Sequence, residues 1–118
     1  MEKTDTKELA KIVYDALDEK KAIDIKIIDI QKISVIADYF IVASANNTSQ
    51  LQALQDIVDE KMYKNGYQTG HIEGNRDSTW ILMDYEDIIV HLFSEEDRLF
   101  YNLERIWKDG VFLSREEL

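Results

Sequence analysis

Apolar residues recur at helical spacing in three segments of the chain, and the first of these segments begins near Asp5. Asp5 and Glu8 have the spacing of a capping box. Lys20 and Lys21 lie at the C-terminal end, where cations suit the helix dipole. One apolar stripe follows the helical repeat and predicts a buried face made of Leu9, Ile12, Val13, Ala16 and Leu17.

A second helix is predicted to start at Asn47-Thr48-Ser49 and to stop at Gly66, since glycine is a common helix terminator. Ser49 and Gln52 have capping-box spacing at its N-terminus. The periodicity predicts a buried face made of Leu51, Leu54, Val58 and Met62.

The third helical segment opens at Ser94, has Asp97 in the capping position and ends before Gly110. Its buried face is predicted to comprise Leu99, Phe100, Leu103, Ile106 and Trp107. We expect the first residues of the chain and the tail after Gly110 to be loosely attached, because chain ends without a docking site are poorly ordered.

Five apolar segments between the helices are predicted as strands: Ile23–Ile30, Tyr39–Ala43, Tyr67–Glu73, Trp80–Met83 and Ile88–Phe93. Alternation places Ile23, Ile25 and Ile27 on one face of the first strand. The continuous apolar run of the second predicts a strand covered on both faces, and the polar third segment is typical of an edge strand. The order of elements predicts an α/β fold (α+β mixed), with a single mixed sheet of about five strands packed by helices.

The turn between the last two strands, Asp84-Tyr85-Glu86-Asp87, is unusually acidic and carries an aromatic residue. One interpretation is a plain hairpin turn, because Asp tolerates turn conformations. The other is a binding site, since alternation places Trp80, Leu82 and Asp84 on one face and tryptophan is enriched at interface hot spots. Trp80 taken alone fits the core or an interface equally well.

The composition predicts an ordinary globular protein. The 118 residues suffice for one domain (residues 1–118, with a core of about 5–109), and 45% of them are hydrophobic. No segment has the length of a membrane span, and the N-terminus lacks the apolar run of a signal peptide, so we expect a cytoplasmic protein. The absence of cysteine excludes disulfides and thiolate chemistry.

The formal net charge of −10 disfavours direct, non-specific binding to nucleic acid, because phosphate backbones are also anionic. An acidic domain is instead suited to a basic protein partner, and ribosomes are rich in basic proteins. The alternative is that the acidity serves solubility alone.

An enzyme is a second possibility. Four aspartates could converge on a divalent metal, as in nucleotidyl transfer: Asp29, Asp38, Asp84 and Asp87. The helix start at Ser44–Ser49 could then receive a phosphate, but it contains no glycine, lysine or arginine. No strand has the x-Asp-x-Asp spacing, although Asp24 and Asp29 come near it. These missing elements disfavour the enzyme. His91 shares a strand face with Ile89 and Phe93 and is interpreted as a hydrogen-bonded histidine at a sheet edge; zinc would require three or four ligands, and His71 is the only other histidine.

Read as one string, the chain resembles the Iojap-type ribosomal silencing factor family (RsfS). The resemblance covers about 100 residues, from Leu9 to Asp109, and its matching segments are IDIKIIDIQKISVIADYFIVASANNTSQ, HIEGNRDSTWILMDYEDIIVHLF and RLFYNLERIW. It implies a nucleotidyltransferase-like α/β domain that lacks the catalytic motif. Asn46-Asn47 departs from the smaller residues that the family usually has at this junction, which further weakens any phosphate-binding role.

The resemblance also implies a function. Family members bind the large ribosomal subunit through its fourteenth protein, which is basic, and they sterically block joining with the small subunit, so that translation falls when nutrients are short. No reaction and no cofactor are required. The family contacts are expected at Trp80, Asp84, Tyr85 and Asp87, with Glu73 and His91 in second rank. The resemblance also leaves a homodimer of the free protein as a possible state. A transfer enzyme and a generic acidic adaptor are the alternative functions.

Overall fold

The computed structural model describes residues 5–32, 37–67, 70–74, 79–85, 87–95, 110–114, 116 and 118. Its elements are α1 (Asp5–Glu19), β1 (Ile23–Asp29), β2 (Tyr39–Ala45), α2 (Thr48–Lys64), β3 (His71–Glu73), β4 (Trp80–Asp84), β5 (Ile88–Ser94) and β6 (Val111–Leu113). The described strands form one mixed sheet in the order β3-β4-β5-β2-β1-β6, in which β2 and β5 are parallel and every other pair is antiparallel. The predicted α/β fold with a single mixed sheet is therefore confirmed, with six described strands instead of about five.

The two described helices carry the predicted apolar stripes, but the cap of α2 differs from the prediction. Its N-cap is Asn47, whose side-chain oxygen accepts a hydrogen bond from the Gln50 amide at 2.8 Å. Gln50 in turn accepts from the Asn46 amide at 2.7 Å, so these residues, and not Ser49 and Gln52, close the helix start. The predicted stop is confirmed at Gly66, whose φ of 88° is a left-handed conformation that glycine adopts without strain.

Each face of the sheet has its own apolar cluster. The face that packs against α1 and α2, called here the helix face, carries Tyr39, Ile41, Ala43, Ile81, Met83, Ile88, Val90 and Leu92. The opposite face carries Ile28, Phe40, Val42, Ile89 and Phe93, which are also buried. Because all seven residues of β2 are buried, the prediction of a strand covered on both faces is confirmed.

The structure corrects two predictions about β1 and the C-terminal tail. The tail after Gly110 is not loose throughout, since Val111–Leu113 pairs with β1 as the edge strand β6. A bulge near Asp24, whose φ is 50°, shifts the register between Ile23 and Lys26, so Ile23 pairs with Ser44 and leaves the face that Ile25 and Ile27 share. The predicted edge strand is found as β3, which ends the sheet on the other side.

The helix predicted from Ser94 onward falls on residues 96–109, which lie outside the described residues. Ser94 itself is the last residue of β5. Neither described helix is both long enough and apolar enough to cross a membrane.

Candidate functional site

An exposed patch with mixed chemistry lies on the opposite face of the sheet, at its β3 edge. Strand pairing sets His71 beside Asp84 and Glu73 beside Leu82, and alternation along β4 adds Trp80 to the same face. All five side chains are exposed or partly exposed, in contrast to the buried positions farther along this face on β5 and β2. We call these five residues the Trp80 surface.

The indole of Trp80 is the largest apolar group on this surface, and the residue is 39% exposed. Its inner side lies against Phe93, its partner in the β4–β5 register, with ring centroids 5.8 Å apart and planes within 4°. His91 lies 6.3 Å away in a nearly parallel orientation. Trp80 is therefore packed on one side and open on the other, a position intermediate between the core and the interface interpretations.

His91 lies beneath this surface and contradicts the prediction of a hydrogen-bonded edge histidine. Its strand, β5, is an interior strand between β4 and β2, and the side chain is 6% exposed. Within the part of the chain that the structure describes, neither ring nitrogen has a hydrogen-bond partner. The rings of Trp80, Phe93 and Phe40 surround it, the last at 4.9 Å edge to face, and burial lowers the pKa of His91 to about 4. The imidazole is thus neutral at neutral pH.

The structure places Tyr85 on the helix face and not beside Trp80. Only 6% of Tyr85 is exposed, its ring belongs to the helix-side core, and its hydroxyl donates to a carboxylate oxygen of Asp59 at 3.3 Å. Alternation along β4 indicates this orientation, because Ile81, Met83 and Tyr85 occupy every second position and share the helix face. Tyr85 therefore anchors the turn from within.

Asp87 holds the end of the turn against β2. Its backbone carbonyl accepts hydrogen bonds from the amides of Asp38 and Tyr39 at 2.7 and 3.2 Å. The Tyr85 amide donates to the Ile88 carbonyl at 2.9 Å and closes the turn. Glu86, between them, lies outside the described residues. The backbone of Asp87 has a structural role here, and its partly exposed carboxylate borders the turn.

Glu73 and the neighbouring backbone shape the outer edge of the Trp80 surface. The Glu73 carboxylate lies 3.2 Å from Nε2 of His71, and both side chains are well exposed. Gly74, the next residue, has a φ of 107°, and a Cβ atom there would lie 2.7 Å from the Trp80 carbonyl oxygen. The local sequence does not predict this close approach, because it depends on a neighbour across the sheet.

The elements that a transfer enzyme requires are not assembled among the described residues. At the helix start considered as a phosphate site, side-chain oxygens of Asn47 and Gln50 already accept hydrogen bonds from backbone amides. No group of three or more His, Cys, Asp or Glu residues in the described ranges could hold a metal ion.

Comparison with known proteins points in one direction. Residues 3–118 match a family model described as "Ribosomal silencing factor during starvation". The chain is 38% identical over 104 residues to the ribosomal silencing factor of Bacillus subtilis, with 88% of each chain covered. It is 42% identical over 107 residues to that of Zymomonas mobilis, with 90% of this chain and 80% of the relative covered.

Structural similarity agrees with these matches. A crystal structure of a protein from Chromobacterium violaceum has a TM-score of 0.84 and 30% identity, covering 92% of this chain and 88% of that one. One from Bacillus halodurans has a TM-score of 0.81 and 29% identity, covering 91% of this chain and 97% of that one.

Proposed function

This chain belongs to the ribosomal silencing factor family, and we propose that it is a ribosome-binding translational repressor. Membership supports a ribosome-associated role in translational silencing. The finer mechanism that we propose is docking on the fourteenth protein of the large subunit, which sterically blocks joining with the small subunit and lowers translation under nutrient limitation. This mechanism requires neither a reaction nor a cofactor.

The observation that supports this proposal best is the Trp80 surface. A half-exposed tryptophan suits an interface anchor, because it buries a large area at little loss of conformational freedom. Asp84 and Glu73 lie on the same face and offer carboxylates to a basic partner. The overall charge of −10 has the sign that such a partner would attract.

The contact set that we propose differs in rank from the one expected from the sequence. Trp80, Asp84 and Glu73 are direct contacts, and Asp87 borders them at the end of the turn. Tyr85 supports the turn through its buried ring and its hydrogen bond to Asp59. His91 lies directly behind Trp80.

Two substitutions test the surface. Trp80→Ala should weaken binding to purified large subunits by on the order of 2 kcal/mol or more, because a hot-spot side chain is removed. Asp84→Lys should weaken binding as well, since it sets a cation against a basic partner. Both variants should unfold cooperatively and should no longer prevent subunits from joining, as measured by sedimentation of mixed subunits.

Matched controls lie on α2. Tyr63→Ala removes an aromatic ring that is 66% exposed, and Asp56→Lys makes the same charge change as Asp84→Lys at another exposed position. Both controls should bind and inhibit like the unmodified protein. If Trp80→Ala and Asp84→Lys fold and still block subunit joining, the binding surface lies elsewhere.

A further inference from the structure

The packing of the described residues does not explain why an imidazole occupies position 91. Both of its ring nitrogens are buried without a hydrogen bond in the described part of the chain, and such groups are rare in native proteins because burial removes their contacts with water. In the strand register its neighbours are Leu82 and Val42. An apolar side chain of similar size would satisfy this apolar environment better.

Charged side chains of the described strands do not supply the missing interaction. The register row through His91 has Glu73 at one end and Lys26 at the other, each two strands away. Two strand spacings amount to about 10 Å, which is too far for a hydrogen bond. Desolvation alone lowers the pKa of His91.

The position of Trp80 suggests what the imidazole is for. The centroids of the indole and imidazole rings lie 6.3 Å apart, with the ring planes within 12°. Trp80 is exposed to solvent, whereas His91 is buried. Interface anchors are typically buried in a pocket of the partner. Side chains at an interface commonly change rotamer on binding, even where the backbone moves little. An outward rotation of the indole would open a path to the ring nitrogens behind it.

We propose that His91 is a concealed binding residue of the Trp80 surface: when Trp80 enters the partner, the imidazole accepts a hydrogen bond from a lysine or arginine side chain of that partner. This inference rests on the proposed function. Because the buried ring is neutral, one nitrogen carries a lone pair that suits a cationic donor. The described neighbours of the ring are aromatic or aliphatic side chains, so the partner supplies the bond that this part of the fold lacks.

Two variants of His91 separate this role from a packing role. His91→Phe keeps a flat ring and removes the unsatisfied nitrogens, so it should raise the urea midpoint of unfolding while it weakens binding to large subunits about tenfold. His91→Gln restores an acceptor and should retain more binding than His91→Phe. A role in packing alone predicts that binding follows stability, so a His91→Phe protein that is more stable and binds normally would overturn the proposal.

A measurement on the unmodified protein does not depend on how the variants fold. The chain has two histidines, so ¹⁵N labelling of the imidazoles gives few signals, and His71→Gln assigns them. Addition of the isolated basic large-subunit protein should shift the unprotonated nitrogen of His91, because that atom accepts a new hydrogen bond. If the complex forms and this signal does not move, His91 is not a contact. If the unmodified protein does not bind large subunits, the proposed function itself fails, which distinguishes the two cases.

Discussion

The buried imidazole of His91 should make the stability of the protein depend on pH. Burial lowers the pKa of His91 from 6.5 to about 4, so between these values the unfolded chain binds more protons than the folded one. Its contribution to stability is therefore complete above the unfolded pKa and is lost as pH falls towards the folded one. At roughly 1.4 kcal/mol for each unit of pKa, the loss across the window is about 3 kcal/mol.

Urea unfolding at a series of pH values would measure this loss. Carboxylates titrate in part of the same window, so the informative quantity is the difference between the unmodified protein and His91→Phe. The difference should change mainly between about pH 6.5 and about pH 4, where the phenylalanine variant lacks the histidine's contribution. Parallel pH dependences of the two proteins would show that His91 titrates normally in the folded state.

At the level of single residues, alternation along β4 predicts which side chains share a face. It correctly placed Trp80, Leu82 and Asp84 on one face. Continued by one residue, it would also have placed Tyr85 in the helix-side core. The sequence does not predict that the ring nitrogens of His91 lack a hydrogen-bond partner among the described residues, because this depends on which side chains surround the ring in three dimensions.

Gly74 lies at the end of β3, where its backbone comes close to that of Trp80. The φ of 107° and the 2.7 Å approach of a Cβ atom to the Trp80 carbonyl would both oppose any larger residue. Gly74→Ala should therefore displace the backbone at Trp80. We expect a loss of about 2–3 kcal/mol in the free energy of unfolding, from the left-handed conformation and the clash together.

Gly66→Ala is the matched control for this substitution. Gly66 also has a positive φ, 88°, but a Cβ atom there would meet nothing within 4 Å. It should therefore lose only about 1 kcal/mol, the conformational part of the effect, and keep its binding to large subunits. Equal losses in the two variants, measured by urea unfolding, would mean that the contact with the Trp80 backbone is unimportant.

Local patterns predicted the long elements well and the short ones poorly. Helices α1 and α2 were predicted because many apolar residues repeat at helical spacing, and β2 because its apolar run is continuous. Strand β6 has three residues, and its pairing with β1 joins segments far apart in the sequence, so no local signal marks it. The α2 cap was misassigned because several polar residues compete at Asn46–Gln50, and only the geometry selects Asn47.

For the molecule as a whole, charge and composition narrowed the function without identifying it. A net charge of −10 disfavours non-specific nucleic-acid binding and is compatible with either a basic partner or simple solubility. The segments that carry the resemblance, among them the strand and turn from Trp80 to His91, predicted the family, and the family match confirms that assignment. The periodicities that predict the fold carry no information about the partner, so the inference of function rests on the matching segments.

The same net charge makes the rate of docking sensitive to salt. If an acidic protein approaches a basic one, long-range attraction accelerates the encounter, and salt weakens it as the Debye length falls from about 10 Å at 0.1 M to about 3 Å at 1 M ionic strength. The association rate with large subunits, measured by stopped flow, should therefore drop several-fold as salt rises, while dissociation changes less. Asp56→Lys and Asp84→Lys alter the total charge equally, so a slower rate in Asp84→Lys than in Asp56→Lys would locate the attraction at the Trp80 surface. An association rate that does not respond to salt would mean that the acidity of the chain serves solubility alone.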